Sequence, residues 1–379
     1  MDFAFSSEQT QLRDGFQRFL RQAYTFDGYR KISASTQGYS PEIWAQISDL
    51  QWLALPFAEA DGGLDCGPVE LLLLTEQLGR ALCVEPYLAN VVLAGQLLAR
   101  LGSATQKQAL LAPLLAGTQQ ISLAHLEAAG RHDPAHCDTK AVQTASGAYQ
   151  LSGKKSLVLN GPNAQQFIVL ARLAGSSKSA TGLGLFVVDA KAAGVQQKPY
   201  AVLGGGVACE LHLDAVVVSA DQRLGSDDSA FETLLDVLDL AIAASCADAY
   251  GAMQALLEKT VEYLKTRKQF GVPLGSLQVL QHRMVDMFVE VQQTQSMILM
   301  VMLRLQDADR AERRKAASAC KAYVHKASKF VAQQAVQLHG GIGVTEELSI
   351  GHYFRRLTAF GNLFGDREYH LQRFSALTQ

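Results

Sequence analysis

The spacing of apolar residues changes period twice along the chain, and this limits the fold more than any single motif. From Phe5 to about Leu115 apolar side chains recur at the interval of a helix. Near Ile121 they begin to alternate, with β-branched residues and turn signals between them, and after Leu224-Gly225 the helical interval returns and persists. A helix buries a stripe and a strand buries every second residue, so the three blocks cannot exchange roles. The pattern predicts an α+β protein: an N-terminal helical domain over 1–118, a middle antiparallel β domain over 119–225 and a C-terminal four-helix bundle over 226–379.

Local signals place the elements. Ser6 with Gln9 reads as a capping box, Ser40-Pro41-Glu42 starts a second helix, and the loop Glu59 to Pro68 precedes a third carrying Val69, Leu72, Leu73 and Leu78. Ala89–Leu101 and Thr105–Leu115 read as two further helices. Expected strands are Ile121–Leu126, Thr139–Thr144, Tyr149–Leu159, Gln166–Leu173, Leu183–Val188, Gly194–Tyr200, Val207–Leu213 and Ala215–Val218. Long helices follow over Ala230–Arg267, Leu277–Leu305 and Ala311–Leu338, with shorter ones near Leu348–Ala359 and Asp366–Leu377.

Composition narrows the function. The 34 basic and 36 acidic residues give a formal charge of −2, which supplies no basic footprint for nucleic acid and no charged attraction to a membrane surface. No apolar run reaches spanning length, and the N-terminal stretch lacks the features of a signal or transit peptide, so a cytoplasmic location is expected. Six cysteines without paired spacing read as buried thiols. His132 and His136 lack a third ligand, so no metal is expected. Gly204-Gly205-Gly206 reads as a loop between strands, because no Lys-Ser/Thr follows it.

Two helix ends carry the chemistry. Arg267 to Gly271, RKQFG, offers a guanidinium, an amide and an aromatic face, and Gln337 to Gly343, QLHGGIG, ends a helix in glycines that let a ligand approach the backbone closely. Each end alone also fits a helix cap or a solvated helix terminus. Together, and with the helix–strand–helix layout, they resemble the acyl-CoA dehydrogenase family. The resemblance implies FAD, an acyl-CoA substrate dehydrogenated between its α and β carbons, and electron-transfer flavoprotein as electron acceptor. It further implies that Arg267, Gln269, Phe270, Gln278, Gln337, Gly340 and Gly341 hold the ADP half of an FAD bound mainly by a neighbouring subunit.

The resemblance fails where the reaction occurs. The family's usual catalytic Glu position falls on Phe364, and the alternative position on the first long helix of the bundle falls on or beside Ala241; neither can take a proton. Asp366 is the nearby acid that could serve as a displaced base, and it also fits a helix N-cap. On the flavin-facing side HLEAAGRHD, His125 to Asp133, keeps Glu127 and Asp133 but loses the family's Thr, Pro and Ser, and Leu157 and Leu159 stand for Trp and Thr. The losses are one-sided. They imply a subunit that lends ADP contacts to a homologous catalytic partner in a hetero-oligomer, expected to be a tetramer, with fewer flavins than chains. HLEAAGRHD and FGDREYH also resemble motifs of small subunits in heteromeric dehydrogenases for pimeloyl-CoA and steroid side chains. The alternatives are a self-sufficient dehydrogenase using Asp366, a non-catalytic scaffold, and a related flavin oxidase or monooxygenase.

Overall fold

The computed structural model describes residues 5–225, 229–269 and 271–378. Helix α1 (Ser7–Ala23) starts at the expected capping box, where the Gln9 N–H donates to Ser6 Oγ and the Ser6 N–H to Gln9 Oε1. It is followed by α2 (Phe26–Ser33), capped by Thr25, α3 (Pro41–Asp49) and α4 (Pro68–Arg80). Helix α2 was not expected, because its eight residues carry too few apolar positions to show a period. A π-helical stretch, Leu88–Gly95, runs into α5 (Gln96–Leu101), and short helices α6 (Ala104–Gln106) and α7 (Ala112–Leu115) flank a second π-helical stretch, Lys107–Leu111.

The sheet comprises β1 (Ile121–Ala124), β2 (Lys140–Gln143), β3 (Tyr149–Leu159), β4 (Gln166–Arg172), β5 (Leu183–Asp189), β6 (Val195–Ala201), β7 (Val207–Val218) and β8 (Arg223–Leu224). Its order is β6-β7-β3-β2-β4-β5-β8, with β1 beside β4. Two pairings correct the antiparallel expectation, since β1 and β2 each meet β4 in parallel. The two strands expected between Val207 and Val218 are one. Asp214 and Ala215 bulge opposite Ser152, Ala215 takes a φ of 54°, and its N–H donates to Ser152 Oγ, so the alternation breaks while the strand continues. Along β4, Phe167 and Val169 enter a core enclosed by the sheet, whereas Ile168 and Leu170 face the helical core. That division is the period of two made physical.

The C-terminal region contains α8 (Ser229–Thr266), α9 (Gln278–Arg304), α10 (Arg310–His339), α11 (Ser349–Asn362) and α12 (Arg367–Ala376). Strands β9 (Lys268–Gln269) and β10 (Val272–Pro273) form a hairpin between α8 and α9. Helix α10 packs against α8, α9, α11 and α12.

Helices α4 and α8 bind the two helical regions together. A Cβ on Gly79 would lie 1.9 Å from the Asp248 carbonyl oxygen, and one on Gly251 would lie 1.9 Å from that of Glu76. Backbone meets backbone at this crossing. Gly251→Ala must therefore push the helices apart, with an expected loss of at least about 1–3 kcal/mol in chemical denaturation. Gly15→Ala, where nothing lies within 4 Å of the added carbon, should leave stability unchanged or raise it.

Candidate functional site

A small cavity of about 170 Å3 lies between the sheet and the bundle, lined by His125, Glu127, Leu157, Ile242, Phe364 and Tyr369 among others. Its walls are conformationally strained. Among the described residues, eight non-glycines have positive φ, and three of them, Arg131, Leu157 and Phe364, line this one cavity. Such strain persists only where surrounding contacts enforce it.

The wall on the sheet side rests on a buried ion pair. Lys155, on β3, places Nζ 2.6 Å from Glu127 Oε1, and Glu127 also accepts hydrogen bonds from the Asp138 and Thr139 N–H groups and the Thr139 hydroxyl. Burial works to raise the Glu127 pKa, but Lys155 and these donors hold it down at about 2. Glu127, His136 and Asp138 also lie close enough to share a cation. Glu127 already answers Lys155 and three further donors, so this arrangement is explained without a metal. His125 is buried, and burial and Lys155 lower its pKa to about 3, so it is neutral.

The opposite wall is the junction between α11 and α12. Phe364, the residue expected at the family's usual catalytic Glu position, has a φ of 57°, and its carbonyl accepts a hydrogen bond from His370 Nε2 at 3.0 Å. His370 is fully buried, contrary to the exposed position that its charged neighbours suggest. The buried Lys321 of α10 donates to the Phe360 carbonyl and lies 3.4 Å from the centre of the Phe360 ring. Burial lowers its pKa to about 7. Asp366 caps α12 by accepting from the Tyr369 N–H at 2.8 Å, and that bond, first among its influences, lowers its pKa. Its Oδ2 also lies 3.7 Å from His132 Nε2. Ala241 is buried on α8. Asp239, two residues earlier, was not anticipated; it is ion-paired with Arg373 at 2.7 Å and Arg314 at 3.7 Å.

The two helix ends meet through aromatic rings. Tyr263, near the end of α8, stacks on His339 at the end of α10 with centroids 4.3 Å apart, and its hydroxyl donates to the His339 carbonyl. Arg267, Gln269, Gln278, Gln337, Gly340 and Gly341 are all exposed there. Phe270 lies outside the described residues. Gly340 has a φ of 65° and ends α10, which accounts for one glycine. A Cβ on either Gly340 or Gly341 would meet nothing within 4 Å, so internal packing does not explain the pair. Gly343 differs, since its Cβ would lie 2.9 Å from the Val336 carbonyl oxygen.

Three family models match successive parts of the chain: acyl-CoA dehydrogenase, N-terminal domain, over 6–118; middle domain, over 122–216; and C-terminal domain, over 231–376. The chain belongs to the acyl-CoA dehydrogenase family. Its relatives include the probable acyl-CoA dehydrogenase YngJ of Bacillus subtilis, 28% identical and covering 94% of this chain and 93% of that protein. The acyl-CoA dehydrogenase FadE27 of Mycobacterium tuberculosis is also 28% identical, with 93% and 92% covered. Similar solved structures include the Tcur3481-Tcur3483 steroid ACAD, with TM-score 0.86, 29% identity and coverage of 98% and 97%. Another is the ChsE4-ChsE5 complex from Mycobacterium tuberculosis, with TM-score 0.89, 25% identity and coverage of 99% and 98%.

Members of the acyl-CoA dehydrogenase family act on CH–CH bonds. The two positions expected to carry a base hold Phe364 and Ala241, and the nearby carboxylates are engaged as a cap, Asp366, or in ion pairs, Glu127 and Asp239. Among the described residues, no helix is long and apolar enough to cross a membrane.

Two stability tests follow from these contacts. Asp366→Ala should cost about 1 kcal/mol and Asp366→Asn much less, because Asn also caps well. Glu127 has a folded pKa near 2 against an ordinary 4.5, so its contribution is complete above about pH 4.5 and is lost as pH falls toward 2. The stability difference between wild type and Glu127→Gln, measured by urea denaturation, should therefore shrink steadily across that window.

Proposed function

We propose that the chain is a subunit of an FAD-dependent acyl-CoA dehydrogenase that lends ADP-side contacts to a flavin held by a homologous catalytic partner. The observation that carries this reading is the contrast between the two halves of the site. On the ADP side, Arg267, Gln269, Gln278 and Gln337 present exposed polar side chains near two glycines whose missing side chains leave open space. A diphosphate suits such a surface, since arginine pairs with phosphate oxygens and bare backbone allows close approach. On the ring side, the cavity of about 170 Å3 falls below the roughly 300 Å3 at which small-molecule sites usually begin. Leu157 and Leu159 offer no side-chain hydrogen bond to a ring nitrogen.

When bound, FAD supplies the acceptor for the hydride leaving the β carbon. This chain's own residues would orient the nucleotide and exclude water around it; the α-proton would go to a carboxylate of the partner. An apolar surface beside the ADP-side residues supports such a partner. Val285, Phe288 and Val289 lie at i, i+3 and i+4 on α9 and are 58%, 51% and 48% exposed, and Ile342 and Val344, just after α10, are exposed as well. The similarity to the ChsE4-ChsE5 complex and to the Tcur3481-Tcur3483 steroid ACAD favours a homologous partner and a bulky polycyclic acyl substrate. A heterotetramer, reoxidised by electron-transfer flavoprotein, completes the reading.

The test is flavin stoichiometry. The chain expressed alone should bind no flavin, and co-expressed with its partner it should yield one flavin for each pair of chains. Arg267→Ala should release FAD from the complex while leaving its assembly intact. A homotetramer of this chain alone, with one FAD per chain and acyl-CoA oxidation, would refute the proposal; loss of that activity in Asp366→Asn would then identify the displaced base.

A further inference from the structure

A second face of α8 borders a different pocket, of about 250 Å3, at the junction of the N-terminal helices with the bundle. Leu235, Leu238 and Ile242 of α8 line the small cleft, whereas Asp236, Asp239 and Leu240 line this pocket, and the two spaces have no lining residue in common. Gln96 and Arg100 of α5 and the start of α4 at Gly67 and Pro68 complete a mostly polar wall. Arg100 is exposed and stands where the pocket meets solvent.

The charges around this space do not balance. Asp236 is shared by Arg310 at 3.1 Å, Arg313 at 3.4 Å and Arg314 at 3.8 Å. Asp239 is shared by Arg373 at 2.7 Å and Arg314 at 3.7 Å, and Glu232 pairs with Arg314 at 2.7 Å. Four guanidinium groups thus meet three carboxylates, and Arg100 brings a fifth cation to the same pocket. Among the described residues, no hydrogen bond or ion pair engages Arg100. Its pKa is lowered, first by burial and further by Arg313 and Arg310, with Asp236 opposing. Glu70, the other acid at this end of α4, is turned to the Gly67 N–H and to Gln9 and does not line the pocket. Five positive charges against three negative leave two unanswered, and cations crowded together away from bulk water favour an anion between them.

We propose that this pocket binds one small dianion of the phosphate class, with Arg100 and Arg313 as its charged contacts. Guanidinium groups match phosphate oxygens in paired geometry, and a dianion supplies the two negative charges that the network lacks. Asp236 and Asp239 also line the pocket, but the arginines of α10 and α12 already answer them, so the net field is positive. The volume lies below the roughly 300 Å3 at which drug-sized sites begin, which suits a phosphate-sized ion and excludes a nucleotide. Held there, the ion joins α5 to α10 and so ties the N-terminal helices to the bundle. The site uses none of the ADP-side residues, so it can succeed or fail independently of the shared-FAD reading.

Inorganic phosphate is the probe, titrated by calorimetry into the full chain in a low-salt buffer at about pH 8, where it is chiefly the dianion. It should bind saturably and raise the urea midpoint of unfolding as its concentration increases. Arg100→Met, which removes the charge and breaks no internal bond, should weaken that binding about tenfold, the equivalent of one charged hydrogen bond. Arg267→Ala, at the exposed helix ends, should leave it unchanged. Acetate, with a single charge, should bind about tenfold more weakly than phosphate. Absence of saturable phosphate binding, or equal affinity in wild type and Arg100→Met, would overturn the site. Binding lost in Arg267→Ala but kept in Arg100→Met would place the ion at the helix ends and overturn it too. Equal affinity for acetate and phosphate would overturn the assignment to a dianion. Should Arg100→Met fail to fold, Arg100→Gln also removes the charge, and the same outcomes decide.

Discussion

The crossing of α4 and α8 sets the geometry on which the rest of the molecule depends. With Gly79 and Gly251 facing the opposite backbone, the two helices approach as closely as their carbonyls allow. The same two helices supply walls of a cavity of about 430 Å3, Thr75 and Leu78 from α4 and Ala244, Ser245 and Asp248 from α8. The Arg356–Asp248 pair then ties α11 to α8, so that three helices and the loop between β6 and β7 share one frame. At that loop a Cβ on Gly204 would lie 2.6 Å from the Arg356 Cα, so glycine is again the condition for contact.

The site depends on what this frame holds in place. At the junction of α11 and α12, a buried lysine, a buried histidine and an N-cap fix the segment that carries Phe364. The segment around Phe364 is therefore firmly held, although that side chain cannot accept a proton. On the sheet side the Glu127–Lys155 pair does similar work beneath Leu157. A buried pair of this kind contributes little net stability compared with apolar packing, but removing one member strands the other, so it constrains the local structure strongly.

Periodic features of the fold were legible in the sequence; features set by distant partners were not. The period of two along β4 and β5 and the capping signals at Ser6 and Asp366 are local, and the structure places those elements within a few residues of expectation. The bulge at Ala215 hid the continuity of β7, because a bulge moves side chains to the wrong face of the alternation. Helix α2 is too short to display a period. His370 sits among Arg367, Glu368 and Arg373 and reads as solvated, yet its partner is a carbonyl six residues earlier whose position depends on a positive φ at Phe364. Lys321 resembles the neighbouring Lys326 and Lys329 in sequence, but it alone points at the end of α11, where a carbonyl and a ring await it. The exposed helix ends were legible as motifs, whereas their meeting through Tyr263 and His339 is a tertiary fact.

Glu85, Asp248 and Glu127 show why residue type alone does not predict charge inside a protein. All three carboxyls are partly or wholly withdrawn from water, and burial acts on Glu85 and Glu127 in the same direction, toward the protonated form. Lys155 reverses that tendency at Glu127, and Arg356 meets the charge of Asp248 in a paired geometry. Glu85 has only a shared N–H, which cannot offset the loss of hydration, and Glu42 adds to the effect. The first two carboxyls are thus satisfied parts of the framework, closed to further partners. The third has no cation to answer it, and burial pushes its pKa up to about 8.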